Sequence, residues 1–363
     1  MHKCGSLLVA TLLLVAPLTA CESTNTTSTS TTSPGGNSTP AANTGTGQSR
    51  LDIVKQRGKL ICGVDGKIPG FSFVNESGQY SGLDVDLCKA VAAAVFGDAN
   101  AVEYRNLDST ERFEALKAGE VDMLSRNTTW TISRDTSVGL EFAPTTFYDG
   151  QGMMVRQDSG ITKLEDLQGK AVCVEAGTTT ELNLTDAMRQ RGVQFETVTF
   201  QQADPAYAAY AEGRCLGMTS DKSQLVARRS TLPNPDEHIL LDVTMSKEPL
   251  GPVTVNNDSA WFDVVKWTTF ALIEAEELGV NQANVDQLKT SDNPNIKRFL
   301  GTEGDLGKGI GLSNDFAANA IKAVGNYGEV YERNLGEGSQ FKLPRGQNAL
   351  WTNGGLMYSP PFR

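Results

Sequence analysis

Histidine is nearly missing from this chain: 363 residues contain two, His2 and His238. A histidine general base or a His-rich metal centre needs imidazoles that the sequence does not supply. His238 stands in Asn234-Pro235-Asp236-Glu237-His238, an acidic turn-like stretch that places it at the solvated surface. Positive charge is short as well, 32 Lys and Arg against 43 Asp and Glu, for a net charge of −11. That balance excludes nucleic acid as a partner, because neutralising phosphates takes a basic face. Small anions stay possible, since they answer to local charge. The six cysteines include no Cys-x-x-Cys pair, so zinc-ligand spacing is lacking. Two glycine motifs fail on inspection. Gly307-Lys308 needs a Gly at position 302, which is Thr302, and Gly309-Ile310-Gly311 needs one at 314, which is Asn314. Neither a metal nor a cofactor is expected.

Long apolar runs are also scarce. The one at the N-terminus runs from Leu7 to Leu18 after Lys3, a secretory pattern over residues 1–20 that is too short to span a bilayer. It ends in Leu18-Thr19-Ala20-Cys21, which resembles the bacterial lipobox and implies cleavage before Cys21 and lipidation of its thiol. Between Ser23 and Ser49 there is no charge, and 15 of the 27 residues are Ser or Thr. Such a composition cannot bury enough apolar area to offset ordering entropy, so 21–50 is expected to be a flexible spacer. Residues 51–363 suffice for about two domains.

Two parts of that body mirror each other. Gly58-Lys59-Leu60-Ile61-Cys62 and Gly169-Lys170-Ala171-Val172-Cys173 both read as a turn and then an apolar strand. Leu116 to Leu124, through Gly119, and Tyr210 to Met218, through Gly213, both read as a helix end, a Gly and a buried strand. Asn127 and Asp221 each follow that Gly by eight residues, where the strand should run out. Ligands of open α/β sheets bind beyond such carboxyl ends, so two lobes of this kind suggest a cleft between them. Asp108-Ser109-Thr110-Glu111 is a capping box opening a helix. Val174-Glu175-Ala176-Gly177-Thr178-Thr179-Thr180-Glu181 reads as strand, turn and hydroxyl-capped helix start, able to offer free N–H groups to a carboxylate.

Gly82-Leu83-Asp84-Val85-Asp86-Leu87, with Val91, Ala92 and Val95 along the helix, resembles the signature of the family 3 extracellular solute-binding proteins, the amino-acid receptors of ABC importers. Asp84 and Asp86 belong to this strand-and-cap pattern; no further ligand follows at calcium-loop spacing. Asp122 to Arg134, Phe142-Ala143-Pro144 and Leu164 to Lys170 are also similar to the family. Ser125-Arg126-Asn127-Thr128-Thr129-Trp130-Thr131, Glu274 to Val280, Ala323 to Glu329 and Arg345 to Trp351 resemble its general L-amino-acid-binding subgroup. The matches span roughly residues 51–363.

The resemblance implies an α/β, two-lobed periplasmic-binding-protein fold of type II with the ligand cleft between lobes. Lobe 1 is expected over 51–149, lobe 2 over 150–252, and 253–363 returns to lobe 1 and ends in helices. It also implies the ligand contacts. Arg134 meets the α-carboxylate through a bidentate fork, helped by Thr129 and the helix start at Thr179 and Thr180. Asp221 meets the ammonium, helped by oxygens near Asn127. Arg112 lies where glutamate- and aspartate-binding relatives place an Arg for the side-chain carboxylate, and Arg126 adds a second cation nearby. Cys62, Cys88, Cys173 and Cys215 suggest two disulfides in an exported protein, with three pairings open. The implied lobes favour Cys62–Cys88 and Cys173–Cys215, since other pairings would tie the lobes together. The expected function is that of a lipoprotein that binds acidic and neutral or polar L-amino acids by cleft closure. It would hand them to an ABC permease and act as a monomer, touching the membrane through its lipid anchor alone. A dehydratase-like enzyme on the same fold and an amino-acid sensor are the alternatives.

Overall fold

The computed structural model describes residues 48–363. The expected secretory segment 1–20, Cys21 as the expected lipidation site and nearly all of the Ser/Thr-rich spacer lie outside the described residues. None of the helices described is long and apolar enough to cross a membrane.

The chain enters through α1 (Arg50–Arg57), capped by the Ser49 side chain. It continues through β1 (Leu60–Val64) and a small antiparallel sheet of β2 (Lys67–Ile68), β3 (Ser72–Val74) and β4 (Tyr80–Ser81). Next come α2 (Leu83–Phe96), β5 (Val102–Asn106), α3 (Arg112–Lys117), β6 (Met123–Leu124) and β7 (Leu140–Phe142). The strand β8 (Phe147–Asp149) leads out of this lobe. The second lobe runs through β9 (Gln151–Arg156), β10 (Ala171–Glu175), α4 (Thr179–Gln190), β11 (Glu196–Phe200) and α5 (Ala203–Ala211). It closes with β12 (Gly217–Asp221), α6 (Lys222–Arg229) and β13 (His238–Leu240). β14 (Glu248–Leu250) returns antiparallel to β8, and β15 (Val253–Val255) joins the first sheet. α7 (Ser259–Glu277), α8 (Val285–Leu288), α9 (Pro294–Phe299), α10 (Leu306–Gly309), α11 (Phe316–Val324) and α12 (Tyr327–Asn334) complete the first lobe.

Both sheets have five strands in the same order. The first is β5-β1-β6-β15-β7 and the second β11-β10-β12-β9-β13; in each, three parallel strands are followed by an antiparallel one that has just crossed from the other lobe. Helices cover both faces, which is why the central strands are apolar without alternation. In β10, Val172, Cys173 and Val174 are all fully buried, and in β1 Cys62, Gly63 and Val64 are buried in succession. The run Ala90 to Ala94 lets α11 and α7 approach α2 closely, building the largest core cluster.

The disulfides are Cys62–Cys88, joining β1 to α2, and Cys173–Cys215, joining β10 to the segment before β12. Each stays within one lobe. His238 departs from expectation. It is buried, with Nδ1 2.9 Å from the Tyr210 hydroxyl and Nε2 3.2 Å from the Pro233 carbonyl oxygen. The acidic turn lies just before it, and His238 itself begins β13, where strand pairing with Arg156 takes it inside. Near the C-terminus, Arg345 holds Glu276 through two 3.1 Å contacts and packs on the rings of Tyr327 and Tyr331. Asn348 accepts from the Tyr148 N–H at 2.6 Å and donates to its carbonyl at 3.2 Å, so this segment is pinned to the crossing strand.

Candidate functional site

One cavity between the lobes, with about 360 Å3 of atom-free space that includes open solvent, is lined by all eight residues singled out above. These are Arg112, Arg126, Asn127, Thr129, Arg134, Thr179, Thr180 and Asp221. Its other walls are Ser109, Glu175, Thr178, Ser220 and Gln224. The local folding follows the sequence closely. Asp108 accepts from the Glu111 N–H at 3.0 Å while Glu111 accepts from the Asp108 N–H at 3.1 Å, a reciprocal capping box that sets Arg112 at the first turn of α3. Asn127 comes three residues after β6 and Asp221 ends β12, so both strands deliver a polar residue at their carboxyl ends. Asn127 adopts φ 47°, a left-handed conformation that Asn tolerates, and neither of its buried amide atoms has a hydrogen-bond partner among the described residues. Thr178 caps α4 by accepting from the Glu181 N–H at 3.1 Å.

The three arginines are unequally engaged. Arg126 is paired with Asp65 and lies 3.4 Å from the Ser109 hydroxyl, so its charge is largely answered within lobe 1. Arg134, held in a π-helical turn, donates to the Thr129 carbonyl at 2.9 Å and makes no ion pair among the described residues. Its neighbour Asp135 instead accepts from the Trp130 indole at 2.7 Å. Arg112 is 3 % exposed and has neither an ion pair nor a side-chain hydrogen bond among the described residues. The ring of Phe113 lies 4.7 Å from its guanidinium carbon and 5.2 Å from that of Arg134. Burial, then Arg126 and Arg134, push the Arg112 guanidinium well below its ordinary pKa; burial lowers Arg134 to about 10, with Glu248 and Asp221 opposing. A guanidinium keeps its proton at neutral pH, so both are cations short of an anion.

Carboxylates answer from lobe 2 and the crossing strands. Asp221 is buried and accepts from the Gln224 amide at 2.8 Å, while adjacent Lys222 turns away to Thr244. Burial, then Asp149 and Glu248, raise Asp221 well above the usual carboxylate range; burial raises Asp149 to about 6. Glu248 went unsuspected in the sequence. It accepts from Thr129 at 2.6 Å, Thr179 at 2.9 Å and Asn183 at 2.9 Å, gathering hydroxyls from both lobes onto β14. The Thr129 hydroxyl therefore donates to Glu248 and has lone pairs left for a ligand donor, which changes the part expected of it. Thr180 is buried against Thr178, with its carbonyl accepting from Gln151. Ser109 of lobe 1 donates to Glu175 of lobe 2 at 2.7 Å, and Lys67 reaches Asp204 at 3.3 Å, so the lobes touch at the cavity wall and again beside it. Glu175 is the last residue of β10, and a strand end just before the Gly177 turn is signal enough in the sequence to suspect it. Glu248, 119 residues from Thr129, carried none.

A polar cavity between two α/β lobes of this strand order defines a type II periplasmic binding protein. The chain belongs to the bacterial extracellular solute-binding proteins, family 3, whose model it matches over residues 60–337. It is 54 % identical, over 86 % of its length and 92 % of the relative's, to the general L-amino acid-binding periplasmic protein AapJ of Rhizobium johnstonii. It is 48 % identical to the glutamate/glutamine/aspartate/asparagine-binding protein BztA of Rhodobacter capsulatus, covering 87 % of this chain and 94 % of that one. Among solved structures, an ABC transporter periplasmic binding protein from Brucella ovis with glutathione bound is similar. Its TM-score is 0.85 at 50 % identity, over 87 % of this chain and all of that one. These relatives are solute-binding proteins, not enzymes, which removes the dehydratase-like alternative.

Proposed function

We propose that this protein captures L-amino acids, acidic as well as neutral and polar, for an ABC permease, as a monomer anchored to the membrane through a lipid on Cys21. Lobe 1 is taken as 51–149 with 253–363, and lobe 2 as 150–252. One observation carries the ligand reading. Arg134 from lobe 1 and Asp221 from lobe 2, both buried, line one cavity, and neither is ion-paired to another residue described. A buried guanidinium without an ion pair and a buried carboxyl whose charged form burial disfavours are both completed by an α-amino acid, which carries the two complements on one carbon. The carboxylate takes Arg134 and the N-terminal end of α4; the ammonium takes Asp221, with the oxygens of Thr129 and Asn127 as further acceptors. Arg112 then faces the side chain, where its lack of a partner suits a second carboxylate. The ligands named for the Rhodobacter relative support that breadth. Glutathione, bound in the Brucella protein, carries a free α-amino-acid head on its γ-glutamyl end and fits the same stations at that end.

A calorimetric screen of the twenty L-amino acids and glutathione tests the ligand. The expected result is binding of glutamate, aspartate, glutamine and alanine, and binding of glutathione alone would overturn it. Fractionating cells that make Cys21→Ser tests the anchor, since stable attachment takes more than one acyl chain. The variant should leave the membrane fraction; membrane recovery equal to wild type would exclude lipidation.

A further inference from the structure

Glutamate and glutamine have nearly the same shape and differ at one atom: an oxygen that accepts, or an NH2 that donates. A pocket that takes both needs a fixed donor for the oxygen they share and a second group able to change sides. Arg112 is the fixed donor, buried with an unpartnered Nε and incapable of accepting. Arg126 does not compete for that part, being committed to Asp65 and Ser109. The second group has to stand on the other side of the cavity from Arg112, carry an exchangeable proton and have a free edge.

Glu175 meets those conditions. It ends β10 at the carboxyl edge of the second sheet, so lobe 2 brings it to the cavity that Arg112 enters from lobe 1. Its Oε1 is fixed by the Ser109 hydroxyl at 2.7 Å, and its Oε2 has no hydrogen bond among the described residues. It also lines an adjoining chamber with Asp65, Lys67, Asp108 and Glu111, which gives solvent protons a route to it. On the reading that the cavity holds α-amino acids, we propose that Glu175 reads the end of the ligand's side chain. As the acid it donates to a ligand carboxylate; as the carboxylate it accepts from a ligand carboxamide. Arg112 binds the common oxygen in both cases.

The charges around Glu175 suit this exchange. Burial raises its pKa, Arg126, Ser109 and Arg112 oppose, and Asp65 adds to the rise. Lys67 and Asp108 face it from the chamber side, with Lys67 engaged by Asp204, and the Tyr207 phenol feels its charge from α5. A second carboxylate brought into hydrogen-bond reach makes the two share one proton, because like charges at that distance cannot both ionise. The proton comes from solvent, and no bond other than O–H is made or broken.

The direction with pH follows. Glutamate and aspartate should bind with uptake of about one proton once Glu175 is ionised in the free protein. Their affinity then falls toward about tenfold per pH unit as pH rises. Glutamine and asparagine should take up none, so the ratio of glutamine to glutamate affinity climbs with pH. The experiment is calorimetry of the full chain with L-glutamate, L-glutamine and L-alanine between pH 5.5 and 8.5, in buffers of different ionisation enthalpy. Glu175→Gln, shown to be folded by its melting curve, should lose proton uptake with glutamate and its pH slope. Ser109→Ala removes a hydrogen bond that favours the ionised form, so it should shift the onset of the slope to higher pH. Glutamate binding without proton uptake in the wild type, or uptake that persists in Glu175→Gln, would overturn the proposal. Failure of all three amino acids to bind would overturn the underlying reading, and this one with it.

Discussion

The two lobes share a strand order, a Gly-to-strand entry into the third strand and one internal disulfide each, yet they present opposite charge to the cavity between them. Lobe 1 contributes Arg112, Arg126 and Arg134; lobe 2 contributes Glu175 and Asp221, backed from behind the lining by Glu248 and Asp149 on the crossing strands. The scaffold dictates only that something polar will sit at the strand ends. Side-chain choice at those ends gives one lobe guanidiniums and the other carboxylates, the complement of a zwitterion. The chain's overall charge of −11 says nothing about this, because it sums the whole chain, whereas the cavity is set by a few buried side chains of both signs.

Breaking the comparison at its centre should have the largest effect. Arg134→Ala and Asp221→Ala are each expected to weaken every α-amino acid by roughly 3–5 kcal/mol, since each strands a desolvated ligand charge. Calorimetry with glutamate and alanine checks this, and wild-type affinity for either ligand in either variant would refute the pose. The disulfides probe the scaffold the lobes have in common. Replacing both cysteines of a pair by serine should cost about 3–4 kcal/mol in stability through loop entropy. The cost should be slightly greater for the lobe 2 pair, whose separation is 42 residues against 26. Denaturant unfolding of the two double variants reads the difference, and an unchanged midpoint would argue against the bond. Arg112→Ala is narrower. Glutamate and aspartate should lose about 2–4 kcal/mol, whereas alanine and serine change by less than about 1 kcal/mol or gain, because an unpaired buried guanidinium is itself costly. Arg126→Ala should show a weaker acidic bias, as Asp65 already answers that charge. Equal losses for glutamate and alanine in Arg112→Ala would make Arg112 a support of the fold.

Much of this was legible in the sequence because it is local. The capping box at Asp108, the hydroxyl cap at Thr178 and the glycines that lead into the third strand of each lobe are contained in a few residues, and the lobes followed from the repetition of the glycine-to-strand segments. What escaped is what the fold assembles from afar. Glu248 gathers Thr129, Thr179 and Asn183 across the cleft, and no spacing in the chain announces it. His238 misled for the opposite reason. Its neighbours are those of a solvated turn, but the next element is a strand whose pairing with β9 buries the ring beside Tyr210.

The exchange of strands at the crossing has a consequence for the order in which the chain can fold. The second sheet is contiguous: all five of its strands lie between Gln151 and Leu240, so it can close as soon as that stretch is available. The first sheet has a gap between β6 and β7 that only β15 fills, pairing Val253 with both Leu124 and Phe142. Until residue 253 arrives, two strands of lobe 1 present unpaired inner edges, the feature most prone to pairing with another chain. Contacts this distant in sequence form slowly. The lobe made first is thus the one completed last, and its unfinished slot marks the interval in which the nascent protein most needs protection from its own copies.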